Sequence, residues 1–252
     1  MNKQKGFLRI TKGSIGETTF VKTRDGFRAQ EKLEVSAGRF KTDPAFARVR
    51  ENASEFGRAG TTGKVIRNAI SSILKGSSDK RVVSRLVQRV MDVIKEDHTS
   101  PRGQGNIIDG PTPKMIGFDF NANSLLGVVL QKKVTSTINR VTGELTVNFP
   151  AIVPVLDLKA PAGSTHYQLV SAGSEMDFEQ LKDTTDIKES AYLPWDSTAT
   201  LATTQVCTVT PNSTHPLFLV FGIKFSQLEG GNQYPILNGS SNVLTILDVN
   251  KP

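Results

Sequence analysis

Three groups of residues in this sequence could do chemistry: a glycine-rich basic stretch, a row of arginines and a knot of carboxylates. The stretch Arg58-Ala59-Gly60-Thr61-Thr62-Gly63-Lys64-Val65 imitates a phosphate-cradling loop. Such a loop needs Gly where Arg58 stands, Ser or Thr where Val65 stands, and a buried strand before it. A helical pattern precedes it instead, so the stretch is expected to be helical. On that helix Gly57, Gly60 and Gly63 form a bare stripe that a second backbone could approach, or a bend falls near Thr61-Thr62. Each Gly weakens the helix by roughly 1 kcal/mol relative to Ala.

Arg81, Arg85 and Arg89 recur every four residues and share one helix face. Such a row could meet phosphates. No aromatic residue is interleaved for base stacking, and Asp92 and Glu96 partly neutralise the row. A solvated face or a protein contact is favoured. Glu175, Asp177, Glu179, Asp183, Asp186 and Glu189 crowd one stretch, opposed only by Lys182 and Lys188. The stretch lacks the dense oxygen ligands and sharp-turn Gly of a calcium loop, so an acidic surface loop is expected.

The remaining reactive residues form no constellation. His98, His166 and His215 lie far apart without a His-Glu-x-x-His pattern. No Gly-x-Ser-x-Gly elbow occurs. One cysteine, Cys207, excludes an intrachain disulfide framework and a cysteine-based zinc site. It sits among alternating Thr and Val and is expected to pack as a small hydrophobe. Trp195, after Pro194, is expected to anchor a core. No enzyme activity, metal, cofactor or small-molecule substrate is expected.

These groups must be positioned by three kinds of element. Residues 6–35 read as strands, with Arg24-Asp25-Gly26 as the turn of a hairpin. Residues 43–97 read as two helices. Asp43-Pro44 supplies a cap and a first-turn proline. Phe46, Val49, Ala53, Phe56, Val65, Ile66, Ala69, Ile70, Ile73 and Leu74 follow helical spacing, and Gly76 ends the run. Ser78 or Asp79 starts the second helix, with a stripe of Val83, Leu86, Val87, Val90, Val93 and Ile94. Residues 98–113 carry Pro101, Gly103, Gly105, Gly110, Pro111 and Pro113 and read as a linker. From 114 onward short strands are expected at 115–120, 126–130, 145–149, 167–170, 203–209, 217–225 and 243–249, with a turn at 139–143. Seven short strands suit an Ig-like sandwich.

The expected fold class is therefore α+β: an N-terminal β-hairpin and antiparallel helix pair, followed by an Ig-like antiparallel β-sandwich. The expected bounds are 1–42, 43–97, a linker at 98–113, and 114–252.

Four segments resemble conserved hypothetical proteins encoded widely in Bacteroidota. They are Lys12 to Phe20 with Asp25-Gly26-Phe27, Phe46 to Gly57, Leu156 to His166, and Leu219 to Phe225. The similarity covers most of the chain. It implies a bacterial source and no assigned activity.

Charge supplies the functional expectation. Of the 252 residues, 1–110 hold 22 Lys+Arg against 12 Asp+Glu, net +10, and 111–252 hold 9 against 12, net −3. Opposite halves suit a contact that propagates from copy to copy. The expected function is a non-enzymatic structural protein that self-assembles into a filament, tube or particle, by strand addition and charge complementarity. The alternative is nucleic-acid binding by the basic half. Candidate assembly contacts are Phe7, Ile10, Phe20, Phe27, Arg81, Arg85, Arg89, Asp177, Glu179, Asp183 and Asp186. Arg9 interrupts any signal-peptide core, and no run reaches the ~18 apolar residues of a membrane span. Synthesis in the cytoplasm is expected, with later release or export left open.

Overall fold

The computed structural model describes residues 2–3, 12–31, 37–237 and 242–252. Phe7 and Ile10 lie outside the described residues. The chain divides into two compact units, Met1–Arg50 and Glu51–Pro252.

The first unit holds four antiparallel strands: β1 (Asn2–Lys3), β2 (Gly13–Ile15), β3 (Thr18–Thr23) and β4 (Gly26–Glu31). Their order in the sheet is β1-β4-β3-β2. Directly opposed residues share a face. One face therefore carries Ile15, Thr18, Phe20, Lys22, Phe27, Ala29 and Glu31. The other carries Ser14, Thr19, Val21, Arg28 and Gln30. Helix α1 (Ala37–Thr42) follows. Asp43 then caps a 3-10 turn, Pro44–Phe46, its carboxylate accepting the Ala45 N–H at 2.9 Å. Arg50 donates to the Phe40 and Asp43 carbonyls at 2.8 and 3.0 Å. No described side chain of this unit is buried.

Helix α2 (Ala47–Ala69) begins in the first unit and continues in the second. It runs unbroken through Gly57, Gly60 and Gly63, so the helix has no break near Thr61-Thr62. The bare stripe is also corrected. Only Gly63 has a neighbour, Leu86 and Val87, whereas a Cβ at Gly57 or Gly60 would meet no atom within 4 Å. The early stripe differs too: Val49 is 49% and Phe56 62% exposed, and burial begins at Ala59. After α3 (Ser71–Leu74), Gly76 takes a left-handed φ of +78° and stops the run. Helix α4 (Val82–Ile94) buries Val82, Leu86, Val90, Val93 and Ile94, while Val83 faces outward. Gly63 lies beside Leu86, and both Glu55 and Ile94 reach Gly105, so α2 and α4 run in opposite directions.

The β elements of the second unit form two sheets. One is three-stranded, in the order β10 (Thr203–Thr208), β6 (Glu144–Phe149), β5 (Thr135–Asn139). In the other, β7 (His166–Asp177) and β11 (Leu217–Glu229) lie side by side at the centre. The flanks of β7 are β8 (Lys182–Glu189) and β9 (Leu193–Pro194). Those of β11 are β12 (Asn232–Pro235) and β13 (Val243–Asn250). Every pairing is antiparallel.

Side-chain alternation along β7 and β11 sorts the core into two layers. Tyr167, Leu169, Leu217, Leu219, Phe221, Ile223 and Phe225 pack with Leu145, Val147, Phe149 and Cys207 of the three-stranded sheet. Val170, Ala172, Met176, Phe218 and Val220 pack instead with Ile66, Ile70, Leu86, Val90 and Ile94 of the helices. Residues 98–113 join this second layer. Ile107 is buried, and the Asp97 carboxylate accepts the N–H groups of Thr99, Ser100 and Asn106.

Two expected strands and one expected loop take other forms. Residues 126–130 hold a helical turn, α5 (Leu126–Val129), matched by α6 (Pro154–Asp157). A four-residue apolar run fits either period, and Asp119, which accepts the Leu126 N–H at 3.3 Å, helps start the turn. Residues 115–120 start in a 3-10 turn, then lie along the outer edge of β13 through Gly117, Phe118 and Phe120. The expected acidic loop is the β7–β8 pair, whose turn forms where Asp177 accepts the Glu179 and Gln180 N–H groups.

The two facing sheets approach closely at Gly173, where a Cβ would stand 2.7 Å from Cys207 Cβ and 3.3 Å from Leu145 Cβ. Gly173→Ala should cost about 1–3 kcal/mol, seen as a lower urea midpoint at unchanged slope. Gly57→Ala, on an open helix face, should gain about 0.5–1 kcal/mol in the same measurement.

Candidate interaction surfaces

Strand β4 alternates Phe27 and Ala29 with Arg28 and Gln30, and Phe20 of β3 lies opposite Ala29, so one face of the N-terminal sheet gathers most of its apolar side chains. Phe20 and Phe27 are half-buried and Ile15 is 63% exposed. Lys22 Nζ lies 5.9 Å from the centre of the Phe27 ring. One outermost strand, β2, is three residues long and, among the described residues, pairs only with β3.

The arginine face is built by α4. Four-residue spacing brings Arg81, Arg85 and Arg89 to one side, where they line an open concavity of about 630 Å³ with Ser84, Gln88, Asp92 and Phe118. The expected solvated row is corrected at its centre. Arg85 donates to the Asp119 carbonyl at 2.8 Å and pairs with the Asp79 carboxylate. Its guanidinium lies 5.1 Å from the centre of the Phe118 ring. Arg89 donates to the Lys114 carbonyl at 3.3 Å, and Arg81 is exposed. Asp79 was marked by sequence as a helix start, and its carboxylate does accept the Arg81 N–H. Its bond to Arg85, six residues on, had no sequence signal.

Asp79 also accepts the Ala122 N–H at 2.9 Å. Burial raises the pKa of this carboxyl, but the bonds from Ala122, Arg85 and Arg81 outweigh it and hold the pKa below the ordinary Asp range. Asp119 behaves oppositely: burial dominates, and its pKa is raised.

The carboxylates of β7 and β8 are mostly engaged within the chain. Asp186 meets Lys188 at 3.0 Å and accepts the Thr208 N–H at 2.9 Å. Glu189 meets Lys224 at 2.7 Å, and Asp177 lies 3.9 Å from His215. Glu175 is buried and accepts the Ser213 hydroxyl at 2.6 Å. Glu179 and Asp183 point outward. Beside Glu175, Arg140 donates to the carbonyls of Ser213, His215 and Asn250. Arg140 stands in the expected 139–143 turn, and nothing in its spacing marks it as a brace.

The phosphate-loop imitation is helical throughout. Arg58 donates to the Gly103 and Gly105 carbonyls at 3.2 and 2.8 Å, and so holds the 98–113 segment on α2. Cys207 is buried, with its thiol 3.5 Å from Ser171 Oγ, and burial pushes its pKa up. Trp195 is half-buried and donates to the Leu158 carbonyl at 3.2 Å. Among the described residues no three His, Cys, Asp or Glu side chains converge as metal ligands, and no helix is long and apolar enough to cross a membrane. No family model matches the chain, and no curated protein or solved structure matches it.

Arg85→Ala should lower stability by about 1–3 kcal/mol, because it removes the counter-charge of the nearly enclosed Asp79 carboxylate and the bond to the Asp119 carbonyl. Arg81→Ala, by contrast, should stay within about 0.5 kcal/mol of the parent. Urea midpoints of the two variants distinguish these outcomes.

The depressed pKa of Asp79 has a defined pH signature. Its stabilisation is present above the unfolded carboxyl range, near pH 4, and is lost as pH falls through the lower folded value. Asp79→Asn should flatten that acid-side fall in a melting series from pH 7 to about pH 2.

Proposed function

We propose that this is a non-enzymatic structural protein that assembles with copies of itself into a filament, tube or particle. The observation that carries the reading is the unfinished state of the first unit. A sheet with one apolar face must bury it against another layer, yet no described side chain of that unit is buried. The face of Ile15, Phe20, Phe27 and Ala29 supplies the contact, and the side of β2 that is unpaired among the described residues supplies a place for strand addition. The bodies that assemble are Ig-like sandwiches carrying added helices, a reading supported by two antiparallel sheets that share a core.

Charge selects the partner surface. The first unit holds 12 Lys+Arg against 5 Asp+Glu, net +7, and the second holds 19 of each. Two such basic sheets repel. A contact between the first unit of one copy and the second unit of the next avoids that repulsion, with Glu179 and Asp183 as its acidic side. A contact between unlike surfaces propagates into an open or closed chain of copies. The resemblance to Bacteroidota proteins fits a bacterial source for such an assembly.

Sizing with light scattering and negative-stain microscopy test the reading. At low salt the protein should form species larger than a monomer, and added salt should shrink them. Burying each phenylalanine is worth about 2 kcal/mol, so Phe20→Ser and Phe27→Ser should each weaken association about 30-fold. A parent protein that stays monomeric at high concentration and low salt sinks the proposal.

A further inference from the structure

We propose that the concave arginine face of α4 binds a multiply charged phosphate oxyanion, supplied by a nucleic acid backbone or by free polyphosphate. Four residues of helix advance about 6 Å along the axis. Arg81 and Arg89 therefore stand about 12 Å apart along the helix axis on one face, with Arg85 between them. An arginine fork matches phosphate oxygens in pairs. A single carboxylate occupies one fork, whereas an open concavity of about 630 Å³ flanked by Arg81 and Arg89 suits a ligand with more than one anionic group.

The face is partly preorganised. Arg85 is fixed from behind by the Asp79 carboxylate, the Asp119 carbonyl and the Phe118 ring. Arg89 is held by one bond to the Lys114 carbonyl, and Arg81 lies open. Gln88 donates to Asp92, the lining carboxylate, at 3.0 Å, and the Ser84 hydroxyl donates back to the Arg81 carbonyl at 2.9 Å. With Arg85 already paired to Asp79, Arg81 and Arg89 against Asp92 still leave the lining net positive. Phe118 is only 3% exposed and offers no platform to a base. Recognition of a nucleic acid here is of its backbone, independent of sequence. The site lies wholly in the second unit and does not depend on the self-assembly reading.

Two probes separate the sources. Tripolyphosphate is titrated by calorimetry, and a labelled 15-nucleotide oligothymidine by fluorescence anisotropy, both on the full chain at about 50 mM salt. Arg81→Ala and Arg89→Ala should each weaken whichever probe binds by about three- to tenfold, and should make the oligonucleotide's salt slope shallower by about one. Arg85 is left intact because it also holds the fold. Lys64→Ala, on the exposed side of α2, should leave binding unchanged, and melting curves confirm that each variant is folded. Binding of tripolyphosphate alone identifies free polyphosphate, and binding of the oligonucleotide alone identifies a nucleic acid backbone. The proposal is overturned if neither probe binds, if Lys64→Ala weakens binding as much as the arginine variants do, or if polyglutamate binds as tightly as the phosphate probes.

Discussion

Two strands, β7 and β11, impose the arrangement of the second unit. Leu217 to Ile223 are buried without a break, and so are Tyr167 to Met176. Strands apolar on both faces need a layer on each side. The helices cover one side and the three-stranded sheet covers the other. Several polar side chains that fall inside this slab are bonded there. Gln168 reaches the Ser190 carbonyl, Ser174 accepts from Thr185, and Glu175 accepts from Ser213. An unbonded polar group at such depth would cost about 1–3 kcal/mol.

Legibility in the sequence followed local signals. Asp43-Pro44, Gly76 and the 139–143 turn lie where local chemistry puts them, because caps and turns are settled by a few neighbouring residues. The continuous run at 217–225 showed a strand but not its double burial, since the covering helices lie more than a hundred residues earlier. Strand β8 was missed because it is an edge strand rich in Lys, Asp and Glu, the composition that protects an edge from pairing. Residues 126–130 were misassigned because a short apolar run has no period of its own. Among the candidate contacts, the row of Arg81, Arg85 and Arg89 was visible from spacing. The inward role of Arg85 was not, because Asp119 and Phe118 reach it only through tertiary packing.

The two units contrast in completeness and in charge. The second has a two-layered core and equal numbers of positive and negative residues. Its main sheet also has guarded edges. Residues 117–120 bond along β13, and Asp186 occupies the Thr208 N–H between β8 and β10. The first unit has a half-exposed sheet, a short outer strand and the whole net charge of the chain. Whatever the protein meets through its backbone edges, the first unit is the better placed to meet it.

Cys207 lies between the facing sheets, beside Ser171 and opposite Gly173. The thiol is enclosed and its pKa is raised, so in the closed state it is shielded from alkylating reagents and oxidants. As the chain's sole sulfhydryl, it can be modified only when the two sheets part. The rate of its labelling is then a clock for that opening, read from one atom without any engineered probe.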